Sequence, residues 1–215
     1  MFSRRNISLA AGMAAAVALT AGALIASTAD ASPLVTPGQP VPGFTGTNSN
    51  GDTDSLADFP GRTVVLEWTN DGCPFVQKHY ATPPANMQTL QSYAGADDVT
   101  WLSVISSAPG KQGHVTGDEA NALTTVRDAM RTHVLLDQTG EIGHLYGAKT
   151  TPHMYVISPD GTLAYEGAID SNPSARVEDI AEATNYVRAA LESVAAGEAV
   201  AVPSAKPYGC SVKYE

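Results

Sequence analysis

Cysteine and positive charge are what this sequence has least of. Only Cys73 and Cys210 occur in 215 residues, and 12 lysines and arginines stand against 22 aspartates and glutamates, a net charge of −10. That deficit argues against nucleic acid or an anionic membrane surface as partner, since both would be repelled. No internal repeat is visible.

The N-terminus decides which redox compartment the two cysteines meet. Arg4 and Arg5 precede an Ala- and Leu-rich stretch from Ile7 to Ala26, and Ala29-Asp30-Ala31 offers small residues around a cleavage point. This is the pattern of a secretory signal over residues 1–31, with the mature chain starting at Ser32. A retained anchor is the competing reading, because the apolar run is almost long enough to span a bilayer. Its many Ala and Gly residues and the cleavage pattern favour removal, leaving no stable membrane insertion. Ser3-Arg4-Arg5 also admits a twin-arginine signal. No cysteine stands at the cleavage point, which argues against a lipoprotein. The expected location is the periplasm or outside the cell, where disulfides persist and an even pair of cysteines is expected to be able to meet.

Residues 32–43 read as an irregular lead-in rich in Pro and Gly. Short strand fragments follow around a turn at Asn48-Ser49-Asn50-Gly51, with Phe44, Leu56 and Phe59 as core candidates. Thr63 to Trp68 is a nearly continuous apolar, β-branched run, the signature of a buried central strand. A turn, Thr69-Asn70-Asp71-Gly72, leads into Cys73-Pro74-Phe75-Val76, where Pro74 suits the first turn of a helix. That helix is expected to reach Tyr80, break at Thr82-Pro83-Pro84 and resume from Asn86 to Tyr93.

A second strand is expected over 99–105, a Gly-rich loop over 106–117, a helix over 118–131 capped by Asp118, a third strand over 134–136 and a short helix over 140–146. His153–Ile157 and Thr162–Gly167 flank Ser158-Pro159-Asp160-Gly161, a hairpin signal. Val177, Ile180, Ala181, Thr184, Val187, Ala190, Leu191 and Val194 then fall at helical spacing, which predicts one long helix from about Ser174 to Val194. A tail over 196–215 carries Cys210. Strands alternating with helices, followed by a hairpin and a closing helix, call for an α/β sandwich with a mixed sheet over 44–195.

A cysteine at a helix N-terminus is held as thiolate by unpaired backbone N–H groups and the helix dipole, and thiolate is the reactive form. Cys73 has that placement, whereas a buried structural cysteine would be an inert small hydrophobe. Asp71 nearby would oppose the dipole, and Lys78 is the expected offset. Trp68 and Trp101 read as core.

Trp68 to Val76 resembles the active-site segment of the thioredoxin superfamily, and Thr150-Thr151-Pro152-His153-Met154-Tyr155-Val156-Ile157 resembles its cis-proline segment. Within that superfamily the sequence is most similar to the redoxin branch related to alkyl hydroperoxide reductase and thiol-specific antioxidant proteins, in members with Cys-Pro-x-Val. The resemblance implies a thioredoxin-like three-layer sandwich and a cis bond at Pro152, with Thr151 beside Cys73 to receive a substrate. It also implies an oxidoreductase served by an external thiol donor, acting on protein disulfides or as a peroxiredoxin-like antioxidant on peroxides, with no organic cofactor. Two departures qualify it. Thioredoxins place the resolving cysteine where Val76 stands, and peroxiredoxins place the peroxidatic cysteine there with Thr at the position of Cys73. The second departure weighs against efficient peroxide reduction.

Cys210 is then the remaining intramolecular partner, with Cys73 attacking and Cys210 resolving. Asn70, Asp71 and Pro74 are the supporting residues. Two alternatives stand beside this one. A permanent Cys73–Cys210 disulfide could staple the tail, stabilising the fold by about 4–5 kcal/mol in the entropic picture. A Sco-like copper protein would use Cys73, His79, His153 and Met154 as soft ligands. However, His79 is expected on a different face of the helix from Cys73.

Overall fold

The computed structural model describes residues 35–215. The signal-like segment and its cleavage point lie outside the described residues, as does the start of the lead-in. Among the described residues no helix is long and apolar enough to cross a membrane.

A small hairpin, β1 (Thr45–Thr47) and β2 (Thr53–Ser55), precedes the central strand β3 (Val64–Trp68). Next come α1 (Pro74–Tyr80), α2 (Asn86–Ala96), β4 (Thr100–Ile105), α3 (Gly117–Val126), β5 (His133–Leu136) and α4 (Glu141–Tyr146). The second half comprises β6 (Thr150–Thr151), β7 (His153–Ile157), β8 (Leu163–Gly167), α5 (Tyr186–Ala196), β9 (Ser204–Ala205) and β10 (Cys210–Ser211). Six strands make one sheet in the order β5-β4-β3-β7-β8-β9. Pairing is parallel from β5 through β3 and antiparallel across β3–β7 and β7–β8, so the sheet is mixed and thioredoxin-like.

All five residues of β3 are buried, as an apolar run in a central strand requires. Val65 faces a core with Cys73, Val76, Met87, Trp101, Val156 and Leu191 under α1, α2 and α5. Leu66 and Trp68 face the opposite core with Leu102, Leu135, Ile142, Tyr146 and Tyr155 against α4. Burying the larger of these side chains contributes roughly 2 kcal/mol each.

One polar group interrupts the first core. The Glu67 carboxylate is fully buried and accepts from Tyr80 Oη at 2.8 Å, Trp101 Nε1 at 2.9 Å and Ser103 Oγ at 3.0 Å. These donors tie β3 to α1 and β4, which makes an otherwise costly burial tolerable.

Two expected helices are shorter than the sequence pattern implied. The apolar spacing from Val177 to Val194 does not mark one helix. Residues 177–180 form a single 3-10 turn, and α5 begins only at Tyr186, where the Asn185 side chain accepts from Arg188 N at 2.9 Å. The chain between is an excursion closed at its base, with Tyr186 N bonded to Ile169 O and Ser171 N to Thr184 O. In α3 the cap is Thr116 rather than Asp118, through a reciprocal pair with Glu119. That helix stops at Val126 because Asp128 takes a positive φ of 49°.

Candidate active site

β3 delivers the chain to a turn whose shape Asn70 sets. Its Oδ1 accepts from Gly72 N at 2.9 Å, its carbonyl accepts from Cys73 N, and its Nδ2 donates to Gln112 O. Gln112 returns a bond to Gly72 O at 3.0 Å, so the 106–117 loop clamps the turn. Gly113, at φ +84°, makes room for this, since a Cβ there would meet Asn70 at 2.3 Å. Cys73 is thereby placed at the N-cap of α1 with Pro74 in the first turn.

The Cys73 side chain is buried and its Sγ donates to Thr151 O at 3.1 Å. The Thr151–Pro152 peptide is cis. On the far side of Thr151 lies the tail. Cys210 of β10 stands opposite Thr151 in antiparallel register, and Ser211 stands opposite Thr150. Gly209 allows so close an approach, because it has φ +134° and a Cβ on it would sit 2.0 Å from Thr151 O. Both thiols are free and close enough to shift one another.

Their environments differ. Burial pushes the Cys73 thiol up, but hydrogen bonds from the Cys210 side chain and backbone, from Thr151 and from the Val76 backbone outweigh it and leave Cys73 below its ordinary value. Burial pushes Cys210 up too, and donating its proton to Cys73 beside that charge carries it to about 11. Cys73 is the acidic thiol of the pair, and Cys210 keeps its proton.

Asp71 is half-exposed, and Arg127 Nη2 pairs with it at 2.5 Å. Its expected offset by Lys78 is not what forms. Lys78 is buried on the other side of α1, donating to Ser174 O at 2.9 Å and Asn172 O at 3.2 Å, with Asp170 Oδ2 at 3.7 Å. The excursion that replaced the expected long helix supplies these carbonyls. His79 joins the same cluster, its Nδ1 accepting from Asn86 Nδ2 at 2.8 Å and its Nε2 lying 3.3 Å from Tyr208 Oη. Burial drives its pKa down to about 4 despite the pull of Asp170, so the ring is neutral near pH 7.

The soft ligands of the copper reading do not converge. His153 is engaged with Glu166 at 3.2 Å, and His79 with Asn86 and Tyr208. Among the described residues no group of three or more His, Cys, Asp or Glu side chains is arranged to hold a metal ion.

Sequence reasoning missed Gln112, Arg127, Asp170 and Tyr208. The only local signal was proximity in two cases: Tyr208 lies two residues before Cys210, and Asp170 closes the apolar Ala168-Ile169 pair.

Residues 37–166 match the AhpC/TSA family. That span includes Cys73, Thr151 and Pro152 and ends before Tyr208 and Cys210. Among solved structures, an uncharacterised conserved protein from Geobacillus kaustophilus is 24% identical with a TM-score of 0.69, covering 84% of this chain and 93% of its own. A protein from Sinorhizobium meliloti 1021 is 21% identical with a TM-score of 0.67, covering 84% and 96%. At these identities the two structures establish the fold. No curated protein matches the chain.

Proposed function

The chain belongs to the AhpC/TSA family, and from that premise we propose that it is an exported thiol-disulfide oxidoreductase whose working pair is Cys73 and Cys210. The observation that carries this reading is the meeting of an acidified thiol with a protonated one across Thr151. The signal-like pattern of residues 1–31 supports export to the periplasm or beyond.

In the proposed cycle the Cys73 thiolate attacks one sulfur of an external disulfide. A bond forms between Cys73 and that sulfur, and the other half leaves as a thiolate that takes up a proton. Cys210 then loses its proton and attacks Cys73 Sγ, forming the Cys73–Cys210 disulfide and releasing the second thiol. Two protein thiols are oxidised and one external disulfide is reduced. An external thiol donor reverses both steps. The lower pKa of Cys73 also makes it the better leaving group in the last of those reverse steps, when a second donor thiol cleaves the mixed disulfide on Cys73. Thr151, the last residue of β6 before the cis bond, offers the backbone on which an extended substrate would lie. Asn70 and Pro74 hold the turn and the helix start, while Asp71 sits at the rim.

Exchange with disulfides is favoured over peroxide cleavage by the groups around Cys73. Those that lower its pKa are neutral hydrogen-bond donors with no cation among them, whereas a departing hydroxide would be helped by a cation.

The test is the redox state of both cysteines in protein taken from its own compartment, together with capture of partners by Cys210→Ser. Mixed disulfides on Cys73 of the variant, and a wild-type disulfide that turns over, are the expected results. No captured partner, with a disulfide that is never reduced, would leave the staple as the only role of the pair.

A further inference from the structure

The buried cluster beside α1 serves no purpose in the thiol chemistry described so far, yet it ends on the tail. Lys78 and Asp170 are almost wholly enclosed, and the Asp170 Oδ2 atom has no hydrogen-bond partner, only Lys78 at 3.7 Å and His79 at 3.8 Å. Its Oδ1 atom accepts from Asn172 N at 3.0 Å and from Tyr208 Oη at 2.5 Å. The Tyr208 hydroxyl lies within 3.4 Å of Lys78 Nζ and 3.3 Å of His79 Nε2, and its ring meets Phe75 edge to face at 5.9 Å. One tail side chain thus plugs a charged pocket that would otherwise be buried and under-partnered.

Tyr208 is two residues from Cys210, joined through Gly209, whose backbone lies against Thr151 O. The strand that carries Cys210 has only two residues and two register pairs, too little to hold itself. On its other side the tail is tied by Val212 N to Lys149 O, by Ala108 N to Lys213 O and by Tyr214 stacked on His144. On the side nearest α1, β9 holds the tail as far as Ala205, and Tyr208 is the side-chain anchor between β9 and Cys210. It packs with Cys210 against the core cluster that contains Cys73, and Cys73 itself is 0% exposed.

We infer that Tyr208, held by Asp170, Lys78 and His79, is the positioning residue of the thiol pair: it sets how often the tail lifts from Cys73 and how readily Cys210 returns to resolve a mixed disulfide. This inference rests on the proposed thiol exchange for its purpose, but the physical coupling stands without it. A latch of this kind acts on the two steps in opposite directions. Loosening it exposes Cys73 to an outside reactant, and it lowers the effective concentration of Cys210 once that reactant is attached.

Tyr208→Phe removes the hydroxyl and leaves Asp170 short of a donor only while the tail is docked. In a Cys210→Ser background, the thiolate-specific rate of Cys73 alkylation by iodoacetamide is expected to rise about tenfold, the equivalent of one charge-assisted hydrogen bond. In the two-cysteine chain mixed with oxidised glutathione, release of the first glutathione thiol accelerates, while release of the second, which completes the Cys73–Cys210 disulfide, slows by up to about tenfold. Phe75→Leu, which removes the edge-to-face contact and touches no buried charge, is expected to shift both rates the same way by a smaller factor.

A residue that merely stabilised the fold would lower the thermal midpoint and leave the two rates moving together or not at all. If Tyr208→Phe folds and both rates stay within twofold of the parent, Tyr208 is not the latch. If Tyr208→Phe does not fold, the same reading of Phe75→Leu decides. Loss of the proposed function shows differently, as a wild-type disulfide that never turns over in its compartment while the alkylation rates still respond to Tyr208.

Discussion

The helix-borne thiol and the tail-borne thiol meet at Thr151 and are chemically unlike. Cys73 is enclosed, receives hydrogen bonds from four neighbouring groups and is acidified. Cys210 is partly exposed on a two-residue strand and pushed up to about 11, in part because it gives its own proton to Cys73. One environment prepares a nucleophile and a leaving group, and the other keeps a thiol in reserve. Neither is a property of cysteine in isolation. The difference arises because a tail outside the family-matched span completes a site that lies inside it.

The contrast is broken most completely by keeping the tail away. Gly209→Val requires a Cβ at φ +134° and 2.0 Å from Thr151 O, so β10 cannot dock. Formation of the Cys73–Cys210 disulfide by oxidised glutathione, measured by thiol titration, is expected to slow by about a hundredfold or more as the second step loses its intramolecular advantage.

The contrast is sharpened by pH. Cys73 has a lowered folded-state pKa, so it contributes stability that is present above the unfolded value and is lost as pH falls through the folded one. Cys210 is raised from 9.0 to about 11, so its contribution is present below pH 9 and is lost as pH rises towards 11. The thermal midpoint of the dithiol protein, with the Cys210→Ser variant as reference, is therefore expected to climb towards pH 9 and fall beyond it. In the variant the alkaline fall attributable to Cys210 disappears. In Cys210→Ala, which also removes the side-chain donor, the thiolate absorbance of Cys73 is expected to rise at higher pH than in wild type.

The smallest effect belongs to Asp71. Its charge is half in solvent and answered by Arg127, and exposed pairs of this kind carry little energy. Asp71→Asn is expected to shift the Cys73 titration by less than about one unit, and a larger shift would return Asp71 to the centre of the site.

Much of the scaffold was readable because it rests on local rules. A β-branched apolar run has few options besides a buried strand, Pro74 fits only the first turn of its helix, and Asp160-Gly161 closes a hairpin between two strands that do pair. The long helix over 174–194 failed for the opposite reason. Helical spacing of apolar residues is necessary for an amphipathic helix but does not fix where it begins, and the Asn185 cap together with the Asp170–Asn185 bridge overruled the periodicity. The same excursion turned Lys78 away from Asp71, since Asn172 O and Ser174 O gave a buried ammonium better partners than a half-exposed carboxylate.

By itself, then, the sequence determined the α/β order, the position of Cys73 at a strand-to-helix join and the presence of a distant second cysteine. Tertiary structure alone decided that Cys210 meets Thr151, that Arg127 rather than Lys78 answers Asp71, and that Tyr208 closes a buried cluster with Asp170. Those contacts join residues from 38 to 59 positions apart. Periodicity and caps are set by neighbours within a turn or two of chain, whereas a pairing across such distances exists only once the sheet and helices have brought its members together.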